Sequence, residues 1–179
     1  MQSRRKFIKQ SSLGIGAYMA SPTLPAITPA LKGKIKQVVA AWPFMAAGPK
    51  WSPEEFLKQT KSLGVAGVEL FPVEYWGLLK KYNTICTATK SHTFIRGMNN
   101  KNHHAECFSA LAKAMDATSK ANFPNVMTFT GLADTSQEKN GSKVSMEEGT
   151  KNCIEGYKKM AKIAEQKNVT MVLEPLNSI

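Results

Sequence analysis

A handful of side chains carry the chemistry this sequence offers. Glu174, in Leu173-Glu174-Pro175, interrupts an apolar run with a carboxylate whose backbone the next proline restricts. A carboxylate at such a position needs a cation or a shared proton. It therefore reads as a metal ligand or an acid/base group, against the plainer alternative of an ion-paired strand end. Glu69, in Gly67-Val68-Glu69-Leu70-Phe71, is a second such carboxylate, though alternation leaves open which face of its strand it occupies. His92 follows another apolar run in a loop, where the pattern by itself favours a hydrogen-bonded histidine over a reacting one. Trp42 and Trp76 suit either the wall of a sugar pocket or a core. His103-His104-Ala105-Glu106 has the composition of a metal site but not the H-E-x-x-H spacing. It opens a helix, where Glu106 favours the positive end of the dipole. Glu54, Glu55, Glu147 and Glu148 fall at helix starts and read as capping groups.

These residues sit at the ends of short apolar runs that alternate with helical patterns. Strands are expected at 35–41, 67–72, 84–89, 126–130 and 169–173. Ser52-Pro53-Glu54-Glu55 and Ser145-Met146-Glu147-Glu148 are capping boxes. The first begins a helix with Phe56, Leu57, Thr60 and Leu63 on one face, ended by Gly64. The second begins a helix burying Cys153, Tyr157, Met160, Ala161 and Ala164. A short helix is expected around 75–81. A longer one, over 103–121, carries Phe108, Leu111, Ala112 and Met115 at helical spacing. Residues 132–144 read as a polar loop. The order βαβαβαβαβ, with apolar strands covered on both faces, predicts an α/β parallel sheet. The G-x-G-x-x-G of a dinucleotide-binding sheet is missing after the first strand. The pattern therefore predicts a (β/α)8 TIM barrel, present through about strand 5 of a fold of roughly 250 residues. In such barrels the C-terminal strand ends build the site, which is where Trp42, Glu69, His92 and Glu174 fall. An open half-barrel exposes two strand edges, so dimerisation, aggregation or degradation is expected, with a homo-oligomer one of these outcomes.

The chain has 179 residues, with 24 Lys and Arg against 13 Asp and Glu and a formal net charge of +11. Only Arg4, Arg5 and Arg96 are arginines, and the lysines are scattered rather than striped, which argues against nucleic acid as a partner. No apolar run approaches the roughly 18 residues of a membrane span. Cys86, Cys107 and Cys153 are far apart and read as small buried hydrophobes. Residues 1–30 have the layout of an export signal. Ser3-Arg4-Arg5-Lys6-Phe7-Ile8-Lys9 resembles a twin-arginine signal, ahead of a weakly apolar stretch and a Pro-rich segment. This predicts a periplasmic or exported protein, with no membrane partner beyond export, whose barrel part is residues 31–179.

Four segments in order resemble the hydroxypyruvate isomerase family, within the xylose-isomerase-like sugar isomerase/epimerase barrels. They are Gly67-Val68-Glu69-Leu70-Phe71, Ser91-His92-Thr93-Phe94 with Gly97-Met98-Asn99-Asn100, Asn125-Val126-Met127-Thr128-Phe129-Thr130-Gly131, and Leu173-Glu174-Pro175-Leu176-Asn177. The resemblance implies a divalent metal (Mg2+, Mn2+ or Zn2+) and a small sugar or hydroxy-keto acid substrate. It implies Glu174 as metal ligand and acid/base residue, His92 on the substrate side, and Glu69 as a carboxylate common at strand two; with Trp42 as a sugar-pocket wall, these are the expected substrate-binding residues. A second glutamate and the remaining ligands would lie on strands six to eight, so this chain by itself is expected to be inactive. Two alternatives stand beside this reading. One is a sugar-binding or degenerate barrel without activity. The other is an endonuclease IV-like nuclease, which the absence of a histidine in Thr128-Phe129-Thr130-Gly131 disfavours.

Overall fold

The computed structural model describes residues 35–174, so the N-terminal signal-like segment and Pro175-Leu176-Asn177 lie outside the described residues. Five strands form one sheet in the order β1-β2-β3-β4-β5, every pair parallel. They are β1 (Val38–Ala40), β2 (Gly67–Glu69), β3 (Cys86–Lys90), β4 (Asn125–Phe129) and β5 (Thr170–Glu174). The helices between them are α1 (Pro53–Ser62), α2 (Trp76–Lys81), α3 (His104–Lys120) and α4 (Met146–Gln166). A π-helical turn, Pro43–Ala47, follows β1, and single 3-10 turns lead into α2 and α3. This is the sequential order of a partial (β/α) barrel, as the alternation of patterns predicts.

The helix starts are where the serines place them. The Ser52 and Ser145 hydroxyls accept from the Glu55 and Glu148 amides, each at 3.2 Å. The first capping box is only half closed: the Glu55 carboxylate turns along the helix and accepts from Gln59 Nε2. Gly64, at φ 70°, ends α1 in the left-handed region as expected. Leu63 does not join the buried face. It is 55% exposed, because the chain is already leaving the helix there.

Helix α4 departs more from expectation. Met160 and Ala164 are buried, but Gly149, Asn152 and Gly156 form the rest of its inward face, while Cys153, Tyr157 and Ala161 are only half-buried. The reason is close approach. A Cβ at Gly156 would stand 2.9 Å from Met98 Sδ and 3.4 Å from the His104 ring. Residues 132–144 are not a featureless loop either. Asp134 and Lys143 bridge in antiparallel fashion, and Val144 N–H donates to Ala133 C=O at 2.8 Å.

Two apolar clusters hold the helices on the outer face of the sheet. Phe56, Leu57 and Leu79 meet Val68 and Cys86 in one, while Leu111, Met115 and Met160 meet Val126 in the other. Trp76 belongs to this packing. Its indole N–H donates to Phe71 C=O at 3.0 Å and its ring meets Phe123 edge-on, so it does not wall a pocket. Burial raises all three cysteine thiols, Cys107 to about 12, which leaves them as hydrophobes at neutral pH.

The segments after β3 and β4 are locked together by backbone contact. Asn99 N–H donates to Thr130 C=O at 2.8 Å, Leu132 N–H to Ile95 C=O at 3.0 Å, and Asn99 Nδ2 to Leu132 C=O at 2.7 Å. Asn152 Nδ2, from α4, donates to Asn99 C=O at 2.8 Å. The contact is so close that a Cβ on Gly97 would lie 2.3 Å from the Gly131 nitrogen and the Thr130 carbonyl. Gly97→Ala should therefore destabilise the protein by about 1–3 kcal/mol or more in denaturant titrations. Gly77→Ala, in α2 with open space around it, should instead add about 0.5–1 kcal/mol. Equal effects would contradict the clasp.

Candidate functional site

Helix packing on the outer face decides which strand residues look the other way. In β2, Val68 is fully buried against α1 and α2, so Glu69 alternates to the concave face. In β4, Val126 packs against α3 and α4, so Met127 and Phe129 are concave. Strand β5 pairs Met127 with Val172 and Phe129 with Glu174, which places Glu174 on that same face.

At the C-terminal ends of the strands the concave face opens into a cavity of about 930 Å³. Ala41, Trp42 and Met45 border it after β1, Leu70, Phe71 and Glu74 after β2, Lys90 at the end of β3, and Ser91, His92 and Phe94 after it. Met127 and Phe129 from β4 and Glu174 from β5 complete the wall among the described residues. The walls are largely aromatic and apolar, with a few polar groups, the usual make-up of a small-molecule site. Trp42 is 56% exposed and Phe94 50% exposed, so both offer open ring faces. Leu70 holds φ at 54°, a left-handed conformation uncommon for leucine, at the point where β2 turns into the cavity wall.

The expected site residues are thus only partly brought together. Trp42, His92 and Glu174 line one cavity. Glu69 is half-buried on the concave face but is not among the lining residues; its backbone carbonyl accepts from Ala41 N–H at 2.9 Å. Glu174 is half-buried and enters none of the ion pairs found among the described residues. Lys90 and Phe94 were missed as site residues in the sequence. Their positions, at the end of β3 and just after it, were the available signal.

His92 is held at both nitrogens. Nδ1 lies 3.0 Å from the carbonyls of Thr93 and Arg96, which only accept, so Nδ1 carries the proton. Nε2 then accepts from the Thr128 hydroxyl at 2.9 Å. Burial pushes its pKa down, and the ring is neutral at pH 7. It therefore presents ring edge and carbon atoms to the cavity, standing edge-on to Phe129.

The His103-His104-Ala105-Glu106 segment does not assemble a metal site. His104 Nε2 bonds the Met98 carbonyl at 2.8 Å, and Glu106 pairs with Arg96 at 2.9 Å. His103 is fully buried with neither ring nitrogen partnered, and burial, with Arg96 nearby, lowers its pKa. Among the described residues no group of three or more His, Cys, Asp or Glu side chains converges. A divalent metal takes about four to six donors. The described residues therefore do not form a metal site by themselves, and Glu174 is a single donor.

The fold defined by this sheet and cavity is shared with sugar-converting barrels. No protein-family model matches the chain, and no curated protein matches it. Among solved structures it is similar to the 3-keto-D-glucoside 4-epimerase YcjR of E. coli, at 13% identity over 80% of this chain and 57% of that one, with a TM-score of 0.59. It is similar to a D-psicose 3-epimerase solved in the presence of D-fructose, at 10% identity over 80% and 53%, TM-score 0.60. A sugar phosphate isomerase/epimerase from Parabacteroides distasonis matches at 10% identity over 84% and 55%, TM-score 0.56. At such identities the likeness is one of fold. The chain spans just over half the length of these structures.

The buried histidines give a pH signature. His92 and His103 both have lowered pKa values in the folded protein. Their unfolded forms take up protons near pH 6.5, so stability is full above that pH and is lost as the pH falls below it. Glu54, Asp116, Asp134 and Glu155 are also held low, chiefly by hydrogen bonds from Lys81, Lys167, Ser136 and Lys101. Their contribution is lost only below about pH 4.5. Melting temperature should stay flat from about pH 8 to about pH 6.5 and decline towards pH 5. A profile that is flat throughout would contradict the neutral, buried state of both rings.

Proposed function

We propose that this chain carries part of the site of a sugar isomerase or epimerase acting on small sugars or on a hydroxypyruvate-type keto acid. The observation behind the proposal is the convergence of Glu174, His92 and Trp42 on one aromatic-walled cavity at the C-terminal end of a parallel barrel sheet. Similarity of fold to several sugar epimerases supports the substrate class. The sequence resemblance to hydroxypyruvate isomerases supports the narrower one.

The reaction needs a base beside a carbon next to a carbonyl. In this reading the Glu174 carboxylate takes that proton and an enediolate forms. The proton returns to the neighbouring carbon for isomerisation, or to the opposite face of the same carbon for epimerisation. Trp42 and Phe94 offer flat faces for the C–H surface of a sugar. His92, held by Thr128, keeps the third wall in place. Glu69, one strand away on the same concave face, would act on the substrate side only if it reached up into the cavity. Glu174 is also our candidate ligand for a divalent metal, with its other donors outside the described residues. The twin-arginine-like start leads us to propose export, a route that carries folded proteins.

The cavity's carboxylates among the described residues are Glu74 and Glu174, and no three metal-donor side chains converge there. The 179-residue chain should bind D-fructose by isothermal titration calorimetry, yet show no turnover with Mn2+ or Mg2+ added. Glu174→Gln and Trp42→Ala should each weaken binding about tenfold. Normal turnover by this chain would contradict the donor argument. Absence of binding by neutral ketoses and by small keto acids and sugar phosphates alike would contradict the site.

A further inference from the structure

The cavity is not uniform in charge. Its walls include Glu74 and Glu174, a neutral His92 and, among the described residues, one cation, Lys90. Lys90 enters none of the ion pairs found among the described residues.

Lys90 reaches this wall because of an irregularity in β3. Val68 pairs with Cys86, but Glu69 pairs with Ala88, which leaves Thr87 as an extra residue. Cys86 packs on the outer face with Val68. Strict alternation from Cys86 would send Lys90 outward as well and turn Thr89 to the cavity. The extra residue reverses this. Thr89 instead meets the Thr118 hydroxyl of α3 on the outer face, and Lys90 shares a register position with the concave Met127. A bulge that re-aims a side chain beside a site is a recurrent device. Here it places the cavity's cation. Lys90 also borders a second groove of about 540 Å³ against α3.

Position adds a direction. Lys90 sits level with Met127, while Glu174 is level with Phe129, two residues higher and two strands across from Lys90. Strand spacings of about 4.8 Å and rises of about 3.3 Å put their Cα atoms roughly 12 Å apart. With both side chains reaching inward, a three- to six-carbon ligand would span them. Its negative end would meet Lys90 and its carbonyl and hydroxyl end would meet Glu174.

Resting on the sugar-site reading above, we propose that Lys90 anchors an anionic group, carboxylate or phosphate, on the ligand of this cavity. The substrate is then a small keto acid or sugar phosphate rather than a neutral sugar. An ion pair between the Lys90 ammonium and an anionic group has no counterpart for an uncharged ketose.

The test uses two matched pairs on the full chain, followed by calorimetry: hydroxypyruvate against dihydroxyacetone for the carboxylate, and D-fructose 6-phosphate against D-fructose for the phosphate. The wild type should bind the anionic member of one pair more tightly, with a preference that weakens as salt rises. Which pair discriminates identifies the anion. Lys90→Gln should cost about tenfold or more for that anion and leave the neutral member unchanged, and Lys90→Arg should recover much of the loss. Lys90 is exposed, so circular dichroism should show both variants folded. If neutral ketoses bind and Lys90→Gln leaves the anion's affinity unchanged, the anchor is wrong and the sugar site stands. If none of the four ligands binds the wild type, both fall.

Discussion

Val68, Cys86, Thr89 and Val126 are almost completely removed from water by the helices laid over the outer face of the sheet. Burying each valine alone is worth about 1.5–3 kcal/mol, so the strands have little freedom to roll. Because strand side chains alternate, fixing these four outward fixes their neighbours inward. Glu69, Lys90, Met127, Phe129 and Glu174 look onto the concave face for that reason, and the cavity follows from it. Its chemistry is held by the same apolar packing that holds the fold.

The strand ends need a second constraint, because the segments after them carry the remaining cavity wall. Backbone contact between Gly97 and Gly131, with the Asn99 and Asn152 amides around it, ties the segment after β3 to the one after β4 and to α4. His92 adds a side-chain tie to Thr128 across the same pair of strands. Both nitrogens of the ring serve this purpose, so its part in the cavity is to set a wall. Glu174 has no comparable partner among the described residues, which leaves its carboxylate available to a ligand.

Much of this was legible in the sequence. Serine caps at 52 and 145, a glycine stop at 64 and five separate apolar runs specify a parallel βα order without further help. Glu174 stood out because a carboxylate closing an apolar strand is costly unless used. What could not be read depended on contacts distant in sequence. The roles of Trp42 and Trp76 separate only through Phe71 and Phe123. The inward face of α4 is built from Gly149, Asn152 and Gly156, which carry no hydropathy signal. The extra residue at Thr87 lies among threonines and alanine that suit either face, so the parity of Lys90 emerges only from pairing with β2 and β4.

The central claim is that the concave cavity, and no other surface, receives a sugar. Amide chemical-shift mapping of the full chain, titrated in turn with D-fructose, D-fructose 6-phosphate and hydroxypyruvate, tests it most directly. The account predicts saturable shifts at Leu70, at residues 91–94, at Phe129 and at Glu174, all bordering the cavity. Shifts confined to Ser109 and Lys113, on the outer groove against α3, or no shifts at all, would contradict it.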